Sequence, residues 1–129
     1  MNQAFGKNYK LCHEGQINSL YKNASGSKIY PFIYKVQEVE FADDTRFKAV
    51  IATPKRVHKS AVVRNRIKRL TRESLRINKN ILEEYLHEEQ KQIALFFIYT
   101  SKDVLSFELL NKKMVLVLNS IKDQIDKNK

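Results

Sequence analysis

Residues 61–81 read AVVRNRIKRLTRESLRINKNI, a run without glycine or proline in which apolar and basic residues each recur at helical intervals. On a wheel at about 100° per residue, Val63, Ile67, Leu70, Ile77 and Ile81 fall within an arc of roughly 80°. Opposite them, an arc of about 140° collects Arg64, Lys68, Arg69, Arg72, Arg76 and Lys79, with Asn65 among them and Leu75 as its one apolar intruder. A segment with one apolar and one cationic side is a helix laid on a core, and the pattern runs from Arg64 to about Leu86. Arg66 and Glu73 sit at the margin of the cationic side, where a local ion pair accounts for both.

Upstream, FKAVIAT (residues 47–53) reads as a buried strand that Pro54 stops, and Ala42-Asp43-Asp44 as a turn. Ile29 to Val39, rich in aromatic and β-branched residues, reads as another strand with Pro31 at its start or edge. NASGS (residues 23–27) is a turn that closes a short first helix from Glu14 to Lys22, with Ile17, Leu20 and Tyr21 at helical spacing. Downstream, IALFFIY (Ile93 to Tyr99) is a continuous apolar run of strand length, which predicts burial on both faces. Ser106 to Asp126 is a last helix with Phe107, Leu110, Met114, Val117, Leu118, Ile121 and Ile125 in one stripe. That stripe covers fewer than three heptads, so packing on the sheet is favoured over a coiled coil. The order α-β-β-α-β-α predicts a single α+β domain over residues 1–129, its parallel connection right-handed by default.

Charge is distributed unevenly. The chain carries 24 lysines and arginines against 14 acids. Ten of those cations and one acid lie between Lys55 and Lys79, leaving 14 cations and 13 acids in the other 104 residues. A nearly neutral domain with one concentrated basic element, five of whose helical cations are arginine, is built to meet a polyanion. A solvated helix face would alternate its signs instead. No run of eighteen apolar residues exists and the N-terminus lacks a secretory stretch; with Cys12 as the one cysteine, a cytoplasmic setting is expected. A zipper-type DNA reader would need heptads after the basic region, and NILEEYLHEEQKQ followed by a strand does not supply them.

The string Ala61 to Arg76, with Arg64-Asn65-Arg66 opening a helix, then Ile67-Lys68-Arg69-Leu70 and Arg72-Glu73, closely resembles the signature of the bacterial ribonuclease P protein subunit. The strand leading into Lys55-Arg56, and Leu11, Ile17 and Tyr21 before it, extend the resemblance over about residues 7 to 125. The resemblance implies a two-layer α-β-β-β-α-β-α domain, a fold shared with the second domain of a ribosomal protein, with a left-handed β-α-β crossover around the basic helix. It implies that the protein joins a catalytic RNA in the endonuclease that removes 5′ leaders from precursor tRNA. Hydrolysis would be carried by the RNA, with Mg²⁺ bound mainly there and no organic cofactor. By position, Arg64, Asn65, Arg66, Lys68, Arg69 and Arg72, with Lys55 and Arg56, would contact the ribonuclease P RNA; Lys59 and Arg76 join them from the charge pattern. The single-stranded leader would run along a cleft between the first helix and the sheet, lined by Ile17, Tyr21, Phe32 and Tyr34. Ile17 stands where many members carry an aromatic, and Val57-His58-Lys59 where many carry a glycine.

A self-sufficient nuclease would need metal-binding carboxylates or an acid–base pair. Asp43-Asp44 is better placed as a turn, and Cys12-His13 has no second pair at zinc-ligand spacing. Glu83, Glu84, Glu88 and Glu89 read as a solvated helix end and His87 as a surface residue. His58 lies among cations, where a phosphate contact is open to it. The reading from another class is a general structured-RNA-binding module without a processing role.

Overall fold

The computed structural model describes residues 26–127. In chain order these form β1 (Gly26–Ile29), β2 (Phe32–Val39), β3 (Phe47–Ala52), α1 (Ala61–Asn78), α2 (Asn80–Glu89), β4 (Gln92–Tyr99) and α3 (Phe107–Lys127). The expected first helix, with Ile17 and Tyr21, lies outside the described residues, as does Cys12-His13.

The sheet order is β1-β2-β4-β3. β4 pairs antiparallel with β2 and parallel with β3, which makes the apolar run its central strand. Central placement explains why Ile93, Ala94, Leu95, Phe96 and Phe97 are all buried in succession. Because β3 and β4 are parallel, the chain between them must cross over the sheet, and α1 and α2 make that crossing.

The stretch expected as one strand from Ile29 to Val39 is a hairpin. Tyr30-Pro31, joined by a cis peptide bond, forms a two-residue turn between Ile29 and its register partner Phe32. Proline has no N–H for a ladder, so the chain reverses there and β1 becomes an edge strand. This supplies the third strand before the basic helix that the family resemblance implied.

The helices cover one face of the sheet. Phe32, Tyr34, Phe47, Ala49, Ile93, Leu95, Phe97 and Tyr99 meet Ile67, Leu75, Leu82, Leu86 and the stripe of α3 in one core. Six of the seven residues of the expected stripe, Leu110, Met114, Val117, Leu118, Ile121 and Ile125, are buried, and Phe107 at the start of the helix is half-buried. Each such side chain contributes about 2 kcal/mol relative to exposure. α3 packs on α1 and α2, and besides its apolar stripe a polar contact ties it to the sheet, Gln124 donating to Ser27 Oγ at 2.8 Å. The other face of the sheet holds a smaller cluster, Ala94 and Phe96 with Val39, Phe41, Val50, Ala52 and Ile98.

The helix expected to run unbroken to about Leu86 is two helices meeting at Lys79. Asn78 Nδ2 donates to the Ser74 carbonyl at 2.8 Å and to Asn111 Oδ1 at 2.7 Å. A side-chain amide that competes for a helix carbonyl interrupts the ladder, and here it ties the junction to α3. The Asp43 turn is as expected: its Oδ1 accepts the Thr45 N–H at 3.0 Å and its Oδ2 meets Lys48 Nζ at 3.2 Å. No helix among the described residues is long and apolar enough to cross a membrane.

Candidate nucleic-acid interface

The basic region begins in the loop 53–60. Pro54 turns the chain out of β3, its carbonyl accepting the N–H groups of Val57 and His58 at 3.1 and 3.2 Å. Lys55, Arg56 and Lys59 are exposed on this loop. Ser60 caps α1, its Oγ accepting the Val63 N–H at 3.3 Å, so the helix starts three residues before Arg64.

Along α1, Asn65, Arg66, Arg69 and Arg72 are exposed, and Arg64, Lys68 and Arg76 are half-buried. The solvent-facing side is therefore rotated from the one the wheel predicts. Ile67, Thr71, Ser74 and Leu75 are the buried residues of α1, so Leu75 is core and not an intruder on the basic side. Lys79 is 2% exposed at the helix junction and does not belong to that side. Arg66 moves the other way, from the margin to the open face.

Small polar residues cause the rotation. Thr71 and Ser74, both fully buried, share a side of α1 with Asn78, which bonds Asn111 of α3, and Ser74 Oγ donates to the Thr71 carbonyl at 2.8 Å. Residues of this size let two helices approach closely without an unsatisfied hydroxyl at Ser74. A count of apolar residues alone leaves them out and places the centre of the buried side too far toward Val63 and Ile81.

Two expected cations have local duties. Arg64 Nη1 donates to the carbonyls of His58 and Lys59 at 3.0 and 2.9 Å, binding the loop to the helix. Arg76, not Arg66, is the partner of Glu73: its Nε and Nη2 reach the two carboxylate oxygens at 3.0 and 2.5 Å. Hydrogen bonds from Arg76 hold the Glu73 carboxyl below its ordinary range and raise the guanidinium above its own. Among the described residues, no acid forms an ion pair with Arg66, Arg69 or Arg72. The surface thus consists of Lys55, Arg56, Lys59, Arg66, Arg69 and Arg72, with Lys68 at its edge. Val62, 78% exposed, sits within it as an apolar spot that charge counting passes over.

His58 has its Nε2 engaged within the fold. Its Nε2 lies 2.8 Å from the Ser101 carbonyl and its ring stands beside that of Tyr99.

The expected cleft residues on β2 are placed otherwise. Phe32 and Tyr34 are 1% and 2% exposed and face the helices: Phe32 packs edge-on against Phe97 and Tyr99, and the Tyr34 hydroxyl donates to Ser120 Oγ. Tyr34 therefore cannot line a cleft on the other side, and Phe32 borders that side only at the hairpin end. Alternation along the strand gives that side Ile33 and Lys35, both half-buried, beside Phe96 and Ile98 of β4. At its end, Lys28, Tyr30, Phe32, Ile33 and Thr100 border a hollow of about 190 Å³, with the Tyr30 ring exposed.

Comparison with known proteins places this geometry. A family model described as Ribonuclease P matches residues 5–122. The ribonuclease P protein component of one strain of Porphyromonas gingivalis is 27% identical over 110 residues, covering 84% of this chain and 79% of that protein. The protein of a second strain is 28% identical over 111 residues. Among solved structures, the Staphylococcus aureus RNase P protein superposes with a TM-score of 0.68 at 20% identity, over 88% of this chain and 95% of that one. The Thermotoga maritima RNase P protein gives 0.67 at 18%, over 84% and 94%. At these identities the structural likeness speaks for the fold.

Proposed function

The chain belongs to the ribonuclease P protein family, and from that premise we propose that it serves in the cytoplasm as the protein subunit of ribonuclease P. It binds the catalytic RNA and the 5′ leader of precursor tRNA and assists removal of the leader. The observation that supports this most is the cationic surface made by Lys55, Arg56, Lys59, Arg66, Arg69 and Arg72, which forms no ion pair with an acid among the described residues. Like charges held this close repel one another, and RNA phosphates relieve that repulsion while releasing counterions. Arginine forks suit bidentate phosphate contact.

Mg²⁺, held mainly by the RNA, supplies the hydrolytic chemistry. The residues of this chain bind, orient and neutralise. By screening phosphate repulsion between catalytic RNA and substrate, the basic surface lowers the Mg²⁺ needed for assembly. The single-stranded leader lies on the sheet face that carries Ile33 and Lys35, in place of the face that carries Phe32 and Tyr34.

Reconstitution tests the proposal. The protein alone should leave precursor tRNA intact, and with ribonuclease P RNA it should give 5′ cleavage at lower Mg²⁺ than the RNA alone needs. Cleavage by the protein alone, or no gain with the RNA, would reject it. Equal affinity for unrelated structured RNAs with no effect on cleavage would favour a general RNA-binding module.

A further inference from the structure

The loop 53–60 carries three exposed cations, Lys55, Arg56 and Lys59, yet contains no helix or strand. A segment of this kind, tied only by its own turn bonds, samples many arrangements and spreads its charges over all of them. His58 ties it down. The 2.8 Å contact of its Nε2 with the Ser101 carbonyl, 43 residues away in sequence, requires that nitrogen to carry a proton and donate it. The ring also stands against Tyr99, with centroids 6.1 Å apart. The carbonyl of His58 accepts from Arg64 at 3.0 Å, so one residue joins the loop to the end of β4 and to the start of α1.

The anchor point is itself buried and hydrogen-bonded. Ser101 is 2% exposed, its Oγ lies 2.6 Å from the Tyr30 hydroxyl, and it accepts the Asp103 N–H at 3.1 Å. The hairpin tip, the strand end and the basic loop are thereby fastened to one serine.

We infer that His58 is a positioning residue for RNA binding: it pins the 53–60 loop to Ser101 so that Lys55, Arg56 and Lys59 meet phosphates from fixed places. It does not touch the RNA. Groups ordered before binding lose less conformational freedom on association, and the gain appears as affinity. The inference rests on the RNA-binding role proposed above.

A double-mutant cycle with the full chain and ribonuclease P RNA tests it. His58→Ala should weaken binding about tenfold. In a background carrying Lys55→Ala, Arg56→Ala and Lys59→Ala, measured at low salt where binding persists, the same change should cost less than about twofold. His58→Gln, whose amide can donate to the same carbonyl, should recover most of the affinity. In the free protein, amide exchange should rise for residues 55–60 on His58→Ala and stay unchanged in β4. A tenfold loss that persists without the three cations would mean a general defect of the fold and overturn the inference. So would unchanged exchange at 55–60, or unchanged affinity. If the triple variant binds like the parent, the loop does not meet RNA and the interface itself is misassigned; if the parent does not bind this RNA, the proposed function fails first.

Discussion

The hydroxyl of Tyr34 donates to Ser120 Oγ at 2.7 Å, joining β2 to α3 across 86 residues of sequence. This bond settles which way β2 faces. Strand side chains alternate, so if Tyr34 points at α3, Ile33 and Lys35 point away from it. Tyr34→Phe should cost about 1 kcal/mol by leaving Ser120 without this donor, and Tyr34→Ala about 3–5 kcal/mol by opening a cavity. Urea unfolding would give both values. Leader affinity, corrected for the folded fraction, should not change in either variant; a specific loss would return Tyr34 to the cleft.

The same alternation explains what the sequence could and could not tell about β2. Its strand character was legible from aromatic and β-branched residues. Its facing was not, because FIYKV offers apolar residues to both sides and a slip of one residue swaps them. β4 and α3 were readable almost to their ends, since an unbroken apolar run and a seven-member stripe each allow one placement. The hairpin at Tyr30-Pro31 was hidden by a proline that suits a strand edge as well as a turn.

Leu75 and Val62 carry the lesson for α1. Both are valine- or leucine-sized residues beside arginines, and the wheel cannot separate them without knowing that Thr71 and Ser74 are buried. Leu75→Ala should cost about 2–5 kcal/mol, the range for an aliphatic core residue. Val62→Ala should stay within about 0.5 kcal/mol. Thermal or urea unfolding of the two variants side by side checks the rotation of the helix. Equal costs would put the basic face back where the apolar count predicts it.

Asp43 governs a pH dependence at the β2–β3 turn. Hydrogen bonds from Thr45, first the side chain and then the backbone, and the nearby Lys48 hold its carboxyl below the ordinary aspartate value. A carboxyl depressed in the folded state adds stability above its unfolded pKa of about 3.9, and this is lost as pH falls through the lower folded value. Asp43→Asn keeps the turn but not the charge. Its melting temperature should therefore lie below that of the parent near about pH 7 and converge with it near about pH 2. A gap that stays constant over that range would show that the charge plays no part.

Arg72 and Arg76 sit one helical turn apart, and their different surroundings predict different contributions under the proposed RNA-binding role. Arg72 is exposed with no acidic partner among the described residues, whereas Arg76 shares its guanidinium with Glu73. The six exposed cations of loop and helix, if each neutralises one phosphate, give a slope of log affinity against log salt near about −4 to −5. Arg72→Ala should reduce that slope by about one unit. Arg76→Ala should reduce it by less than about half a unit, because Glu73 already offsets its charge. Glu73→Gln should act in the opposite sense: it frees Arg76 for phosphate, raising low-salt affinity and steepening the slope. Titrations of ribonuclease P RNA at four or five salt concentrations resolve these differences. Equal effects of Arg72→Ala and Arg76→Ala would mean that the Glu73 pair opens on binding, and Glu73→Gln would then leave the slope where it was.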